Sequence, residues 1–179
     1  MIREVVPGLS RVALLWDPAT GSAQLRAAET AARALRLQLQ TIEARREADL
    51  ERAVAAAVRE RAGALVILSS PVFNAARAEV AALASRGRLP SIMAFPGYAE
   101  DGGLIGYGPH LRSMFGQVRS MFGQAGRHVV RVLRGTPPRE IPMERPAQFS
   151  LLINQRTAQT LGLTIPAALL ARADEVVQR

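Results

Sequence analysis

The stretch Arg11-Val-Ala-Leu-Leu-Trp-Asp-Pro-Ala-Thr20 decides the fold. A buried apolar run stops abruptly at Trp16, Asp17 and Pro18 and gives way to a helical pattern, which is how a strand of a parallel sheet hands the chain to its crossover helix. Later segments repeat the same grammar of apolar run, polar or aromatic break, and helix. If the runs are parallel strands, their breaks open on one edge of the sheet, the edge where open α/β sheets bind ligands.

Working outward, Ser22 is a candidate N-cap, and Leu25, Ala28, Ala32 and Leu35 recur at helical spacing. Leu37-Gln-Leu-Gln-Thr-Ile42 alternates as a half-buried edge strand does, and Asp49 opens a second helix on Leu50, Val54, Ala57 and Val58 that Gly63 is expected to end. Ala64-Leu-Val-Ile-Leu68 reads as a central strand that breaks at Ser69-Ser70-Pro71. A third helix is expected from near Asn74 to Gly87, and a fourth strand, Pro90 to Phe95, breaks at Pro96-Gly97. Leu104-Ile-Gly-Tyr107 forms a short fifth. The fold class is therefore α/β: a doubly wound, mainly parallel five-stranded sheet of order 2-1-3-4-5, with helices on both faces and right-handed crossovers.

The remainder departs from that pattern. Leu111, Phe115, Val118, Phe122, Ala125, Val129 and Val132 make an apolar stripe along one long helix over 110–134. Within it Arg112-Ser-Met-Phe-Gly-Gln-Val118 is followed by the near-copy Arg119-Ser-Met-Phe-Gly-Gln-Ala125. Seven residues are two turns with a drift of about 20°, so the duplication lengthens the helix by roughly 10 Å without rotating its apolar face. A Pro-rich connector at 135–142, a strand from Phe149 to Ile153, a helix capped by Asn154 and ended by Gly162, and a closing helix from Pro166 complete the chain.

With 179 residues, 49% apolar and only 4% aromatic, the core is expected to be Ala, Leu and Val, which suits helices on a sheet. The net charge of +8 comes entirely from arginine, scattered over helix faces such as Arg26, Arg33, Arg36, Arg52, Arg59 and Arg77. No basic block interleaves with aromatics, so nucleic acid is not an expected partner. The absence of cysteine excludes thiolate metal sites, disulfides and thiol catalysis. No apolar run is long enough to cross a bilayer, and no signal peptide precedes the first strand.

Catalytic motifs are missing. There is no Gly-x-Ser-x-Gly elbow and no Walker loop, and His110 and His128 lack metal-ligand partners. Gly103, Gly106 and Gly108 come too late for a phosphate loop and read as turns. Asp17 after strand one invites comparison with receiver domains, but the Asp after strand three and the Lys after strand five that such chemistry needs are absent. What remains is a rim of Trp16, Asp17, Thr20, Ser69, Ser70, Phe73, Phe95, Tyr98 and Tyr107, apolar walls with a few small polar groups, which is the make-up of a small-molecule site. Hydroxyls with no adjacent base favour hydrogen bonding to a ligand over nucleophilic catalysis.

The ordered set Leu9-Ser-Arg-Val-Ala-Leu-Leu-Trp-Asp-Pro18, Ser69-Ser-Pro-Val-Phe73, the strand from Leu89 through Phe95, Gly102-Gly-Leu-Ile-Gly-Tyr-Gly-Pro109, Phe149-Ser-Leu-Leu-Ile-Asn154 and Thr157 to Pro166 resembles the C-terminal half of ABC transporter substrate-binding proteins of the tryptophan/tyrosine-binding type. The tail Leu169 to Val176 resembles that family too. The resemblance implies one lobe of a periplasmic-binding-protein fold. Residues 1–109 form the ligand-binding lobe, 110–148 a crossover helix and connector, and 149–179 the return to the lobe. It also implies a non-enzymatic, periplasmic solute-binding role, an amino-acid-like ligand, an ABC permease as partner and no cofactor. Members are about twice as long, and the duplicated heptad is not part of their usual pattern. Half a clamp is expected to bind ligand weakly, and the apolar stripe to favour a homodimer. The alternative is a flavodoxin-like enzyme or regulatory domain holding a phosphorylated ligand in the same crevice.

Overall fold

Apolar runs become strands where the sequence places them. In the computed structural model, which describes residues 1–109, 126–141 and 149–178, β1 spans Arg11–Trp16, β2 Gln38–Glu43, β3 Ala64–Ile67, β4 Ser91–Met93 and β5 Ile105–Pro109. Two further strands, β6 (Phe149–Asn154) and β7 (Glu175–Val177), widen the sheet to the order β2-β1-β3-β4-β5-β6-β7. The expected five-strand order is embedded in it unchanged. The pairs β1–β2, β1–β3, β3–β4, β4–β5 and β6–β7 are parallel. β7 is too short for a periodicity to show, so nothing local announces it.

The helices are α1 (Ile2–Val5), α2 (Ala23–Ala34), α3 (Leu50–Arg59), α4 (Pro71–Ala75), α5 (Arg77–Arg86), α6 (Gly97–Glu100), α7 (described at 126–133), α8 (Gln155–Thr160) and α9 (Ala167–Leu170). The single third helix expected over 74–87 is two, α4 and α5, meeting at Ala76. Alternate residues of each strand face opposite ways. Ala13, Leu15, Leu65, Ile67 and Met93 pack against Ala53, Val54 and Ala57 of α3 and Val80, Leu83 and Ala84 of α5. Alanine on these helices lets their backbones approach the sheet closely. On other positions Val12 and Ala64 meet Leu9, Ile2 and Val6, so the first residues are core and not a mere lead-in. Leu104, Ile105, Leu151 and Ile153 pack with Val5, Ala158 and Leu169.

Three helices end in the same way; α5 closes on Gly87 as expected, whereas α3 stops short of Gly63, with Glu60 as its cap. Arg36, Arg61 and Arg88 hold φ of 55°, 56° and 51°, just past α2, α3 and α5. After each one, an amide reaches back five residues: Leu37 N to Ala32 O, Ala62 N to Ala57 O, and Leu89 N to Ala84 O, at 2.9, 3.0 and 2.9 Å. This closes the Schellman motif, in which the left-handed residue is usually glycine. A side chain there costs roughly 1–2 kcal/mol. Gly63 and Gly87 also serve packing: a Cβ on them would lie 2.9 Å from Leu9 Cδ1 and 2.8 Å from Val58 Cγ2.

Two compact units are distinguished. Met1–Gly108 with Ser150–Arg179 carries the sheet, and Pro109–Phe149 is the other. In the second, α7 leads through Gly135 (φ +91°) to a 3-10 turn at Pro138–Glu140. Val129 and Val132 of the expected apolar stripe are exposed on α7. The rest of that stripe, His110 and the duplicated heptad at 112–125 lie outside the described residues.

Candidate functional site

The carboxyl ends of β1, β3, β4 and β5 gather on one edge because the strands are parallel neighbours. Leu68 N donates to Leu15 O (3.1 Å) and Ala94 N to Ile67 O (3.2 Å), carrying the pairing to the breaks at Asp17, Ser69 and Phe95. The β5 end closes on the β4 break through glycine. A Cβ on Gly106 would lie 2.2 Å from Pro96 O, and one on Gly108 2.6 Å from Ala94 O. Segments near 17, 70, 96 and 108 therefore share an edge.

Asp17 and Ser70, expected as ligand groups, turn inward. Ser70 Oγ donates to Asp17 Oδ2 at 2.7 Å across 53 positions of sequence. Each also caps the turn that follows it: Asp17 Oδ1 accepts from Ala19 N (2.9 Å) and Ser70 Oγ from Val72 N (3.1 Å). Asp17 is 3% exposed and Ser70 not at all. A buried carboxylate is tolerated only where hydrogen bonds replace water, and here two donors, Ser70 Oγ and Ala19 N, meet that need. The pair's chemistry is positional: it ties the β1 and β3 breaks together under the rim.

Gln24, which the sequence did not single out, does the same for the backbone of Ser69. Its amide donates to Ser69 O (3.1 Å) and accepts from Ser69 N (3.0 Å), docking the first turn of α2 on the end of β3. A polar side chain one turn past the loop was its only sequence signal. Trp16 Nε1 donates to Gly21 O (3.1 Å) and Thr20 Oγ1 to Asp17 O (2.8 Å), so the 17–22 loop is stapled from within.

What then faces the open edge is a smaller set. Trp16, Thr20, Ser69 and Phe95 are half-buried and Tyr107 is exposed. The Ser69 hydroxyl makes no hydrogen bond among the described residues. Phe73 does not reach the rim as expected. It is fully buried in the core cluster beneath, because it lies on the inward face of α4. Tyr98 is likewise buried, its hydroxyl 2.7 Å from Ser91 Oγ. Burial raises the Tyr98 phenol far above its ordinary range, and the bond from Ser91 offsets only part of that.

Two concavities among the described residues lie elsewhere. One of about 500 Å³ is lined by Gln155, Arg156, Gln159 and Gln178, and a second of about 290 Å³ runs between α5 and α8 past Asp101 and Thr157. The first has no apolar wall, and small-molecule sites need one. Both lie where β6 ends beside the start of β5, since Asn154 N donates to Leu104 O (2.9 Å). Asn154 itself is spent: its Oδ1 accepts from Thr157 N and its Nδ2 donates to Ala99 O, both at 2.8 Å. No group of three or more His, Asp or Glu able to hold a metal occurs among the described residues.

With this geometry in place, comparison with known proteins is informative. The family described as ABC transporter substrate binding protein matches residues 1–177. A conserved domain protein from Vibrio cholerae superposes with a TM-score of 0.83 at 23% identity, over 98% of this chain and 57% of that one. An ABC domain in complex with L-Trp from Streptococcus pneumonia gives 0.82 at 19% identity, over 98% and 58%. A ligand-free, open substrate-binding protein with adhesive properties from Clostridium difficile gives 0.69 at 14% identity, over 99% and 58%. These likenesses establish a shared fold, and the chain spans less than two thirds of each structure's length. No curated protein matches at a significant level.

Proposed function

Because the chain belongs to the ABC transporter substrate-binding protein family, we propose that its carboxyl strand edge forms one wall of a solute site, as part of the binding component of an ABC importer. The observation that carries this reading is the division of labour along that edge. Asp17, Ser70 and Gln24 are consumed in fixing the loops, while the Ser69 hydroxyl makes no hydrogen bond among the described residues and the half-buried Trp16 and Phe95 and the exposed Tyr107 keep apolar surface at the same edge. Preset polar groups among apolar rings suit a small, amphipathic organic molecule, and we take an amino-acid-like ligand as the class. The role is one of binding without turnover, outside the cytoplasm, with an ABC permease as the receiving partner.

A single wall cannot enclose a small molecule, so ordering costs absorb most of the contact energy. Calorimetry of this chain with a panel of aromatic and aliphatic amino acids is expected to show binding weaker than micromolar, reduced further in Ser69→Ala. Binding of a nucleotide or inorganic phosphate at the 17–22 loop, with no response to amino acids, would favour the flavodoxin-like alternative. Self-association through the helix that includes Val129 and Val132 belongs to the same reading. Sedimentation showing a strict monomer at high concentration would remove it.

A further inference from the structure

At the opposite edge, where the strands begin, arginines line up without ion-pair partners among the described residues. Arg36, Arg61 and Arg88 directly precede β2, β3 and β4, and Arg33, Arg59 and Arg86 occupy the last turns of the helices before them. All six are exposed, and none makes an ion pair among the described residues. Five arginines elsewhere do form ion pairs. Arg45 pairs with Glu43, Arg46 and Arg52 with Asp49, Arg77 with Asp101, and Arg172 with Glu4. On the bare edge the single acidic neighbour in these helix ends is Glu60, whose carbonyl receives Arg11 Nη1 at 2.5 Å.

Helix electrostatics accounts for half of this row. Arg33, Arg59 and Arg86 complement the carboxyl ends of their helices. The next cationic position falls on a left-handed residue, where glycine or asparagine is the easy choice, yet arginine stands there three times. Strand spacing places the three within about 15 Å along the edge, from β2 to β4. Two exposed aliphatic side chains are interleaved with them: Leu35, 47% exposed, beside Arg36, and Val58, 42% exposed, against the Gly87 end of α5.

We infer that this arginine edge docks the lobe on an anionic phospholipid surface. A row of unpaired arginines with shallow aliphatic contacts fits a plane of phosphate headgroups, whose attraction adds up over each cation near the membrane and fades with salt. Among the described residues, no aromatic side chain stands on this edge for base stacking, and it has no enclosed cavity to hold a lone phosphate.

The test is co-sedimentation of the full chain with vesicles containing about a third phosphatidylglycerol, against pure phosphatidylcholine vesicles. Binding is expected only to the anionic vesicles, and about half-molar salt is expected to abolish it. The triple variant Arg36→Asn, Arg61→Asn, Arg88→Asn is expected to partition at least tenfold more weakly with its thermal midpoint unchanged or raised, since asparagine tolerates the left-handed backbone. The charge-matched variant Arg45→Gln, Arg52→Gln, Arg172→Gln is expected to keep most of its binding. Equal binding to both vesicle types, equal loss in both variants, or no vesicle binding alongside retention on duplex DNA would each overturn the assignment.

Discussion

The two edges of one sheet are built by opposite means. At the carboxyl ends of the strands, side chains hold the loops: Asp17, Ser70, Gln24 and Trp16 each bond to backbone or to one another. At the amino ends, backbone holds backbone through three repeated helix terminators, with Arg11 and Arg3 adding bonds to the Glu60 and Leu35 carbonyls, while the terminator side chains Arg36, Arg61 and Arg88 bond to nothing among the described residues. Constraint follows that split. A substitution at the carboxyl edge removes a strut, while one at Arg36, Arg61 or Arg88 removes only a solvated side chain.

The contrast breaks first at Gly106. Its added Cβ would lie 2.2 Å from Pro96 O, a backbone atom unable to step aside cheaply. Gly106→Ala is expected to cost about 3 kcal/mol, seen as a lower urea midpoint, or to fail to fold. Asp17→Ala comes next, at about 2 kcal/mol, since it leaves the buried Ser70 hydroxyl and the Ala19 amide without an acceptor. Ser70→Ala combined with Asp17→Ala should cost less than the two single effects added, because the pair is one unit. Additive costs would deny the strut.

Tyr98 sharpens the comparison through pH. Its phenol is raised by burial, so the stability of the neutral form is complete below the unfolded value near 10 and is lost as pH climbs above it. Tyr98→Phe is expected to lose about 1 kcal/mol at neutral pH, where Ser91 is left without its partner, and to show a shallower alkaline decline. An unchanged decline would place the alkaline sensitivity elsewhere. The smallest effect is at the amino edge. Arg61→Gly is expected to raise stability by up to about 1 kcal/mol, measured by thermal melting, because it relieves a left-handed side chain and severs no hydrogen bond.

How far such features can be read in advance differs element by element. The apolar run from Val12 to Leu15, the alternation from Leu37 to Ile42 and the Ala64–Leu68 run are local patterns, and the strands stand where they point. Asn154 capping α8 and the left-handed Gly162 beyond it were equally local. The strand-end edge was legible as a place more than as a set of contacts. Trp16, Thr20, Ser69, Phe95 and Tyr107 lie on or near the open edge, whereas Phe73 and Tyr98 went into the core. Aromatic residues beside a break carry no mark of which way their short helices will roll.

By itself, the sequence determined the order of the first five strands and the edge on which their breaks collect, since hydrophobic periodicity and chain connectivity are written within a few residues of each position. Only the tertiary structure decided that Asp17 would face Ser70, that Gln24 would clasp Ser69, and that Gly63 would yield its terminator role to Arg61. Each of those outcomes turns on a neighbour distant along the chain or on space left by packing. A partner 53 positions away or a methyl group pressing on a glycine exerts its force only once the sheet and helices have come together.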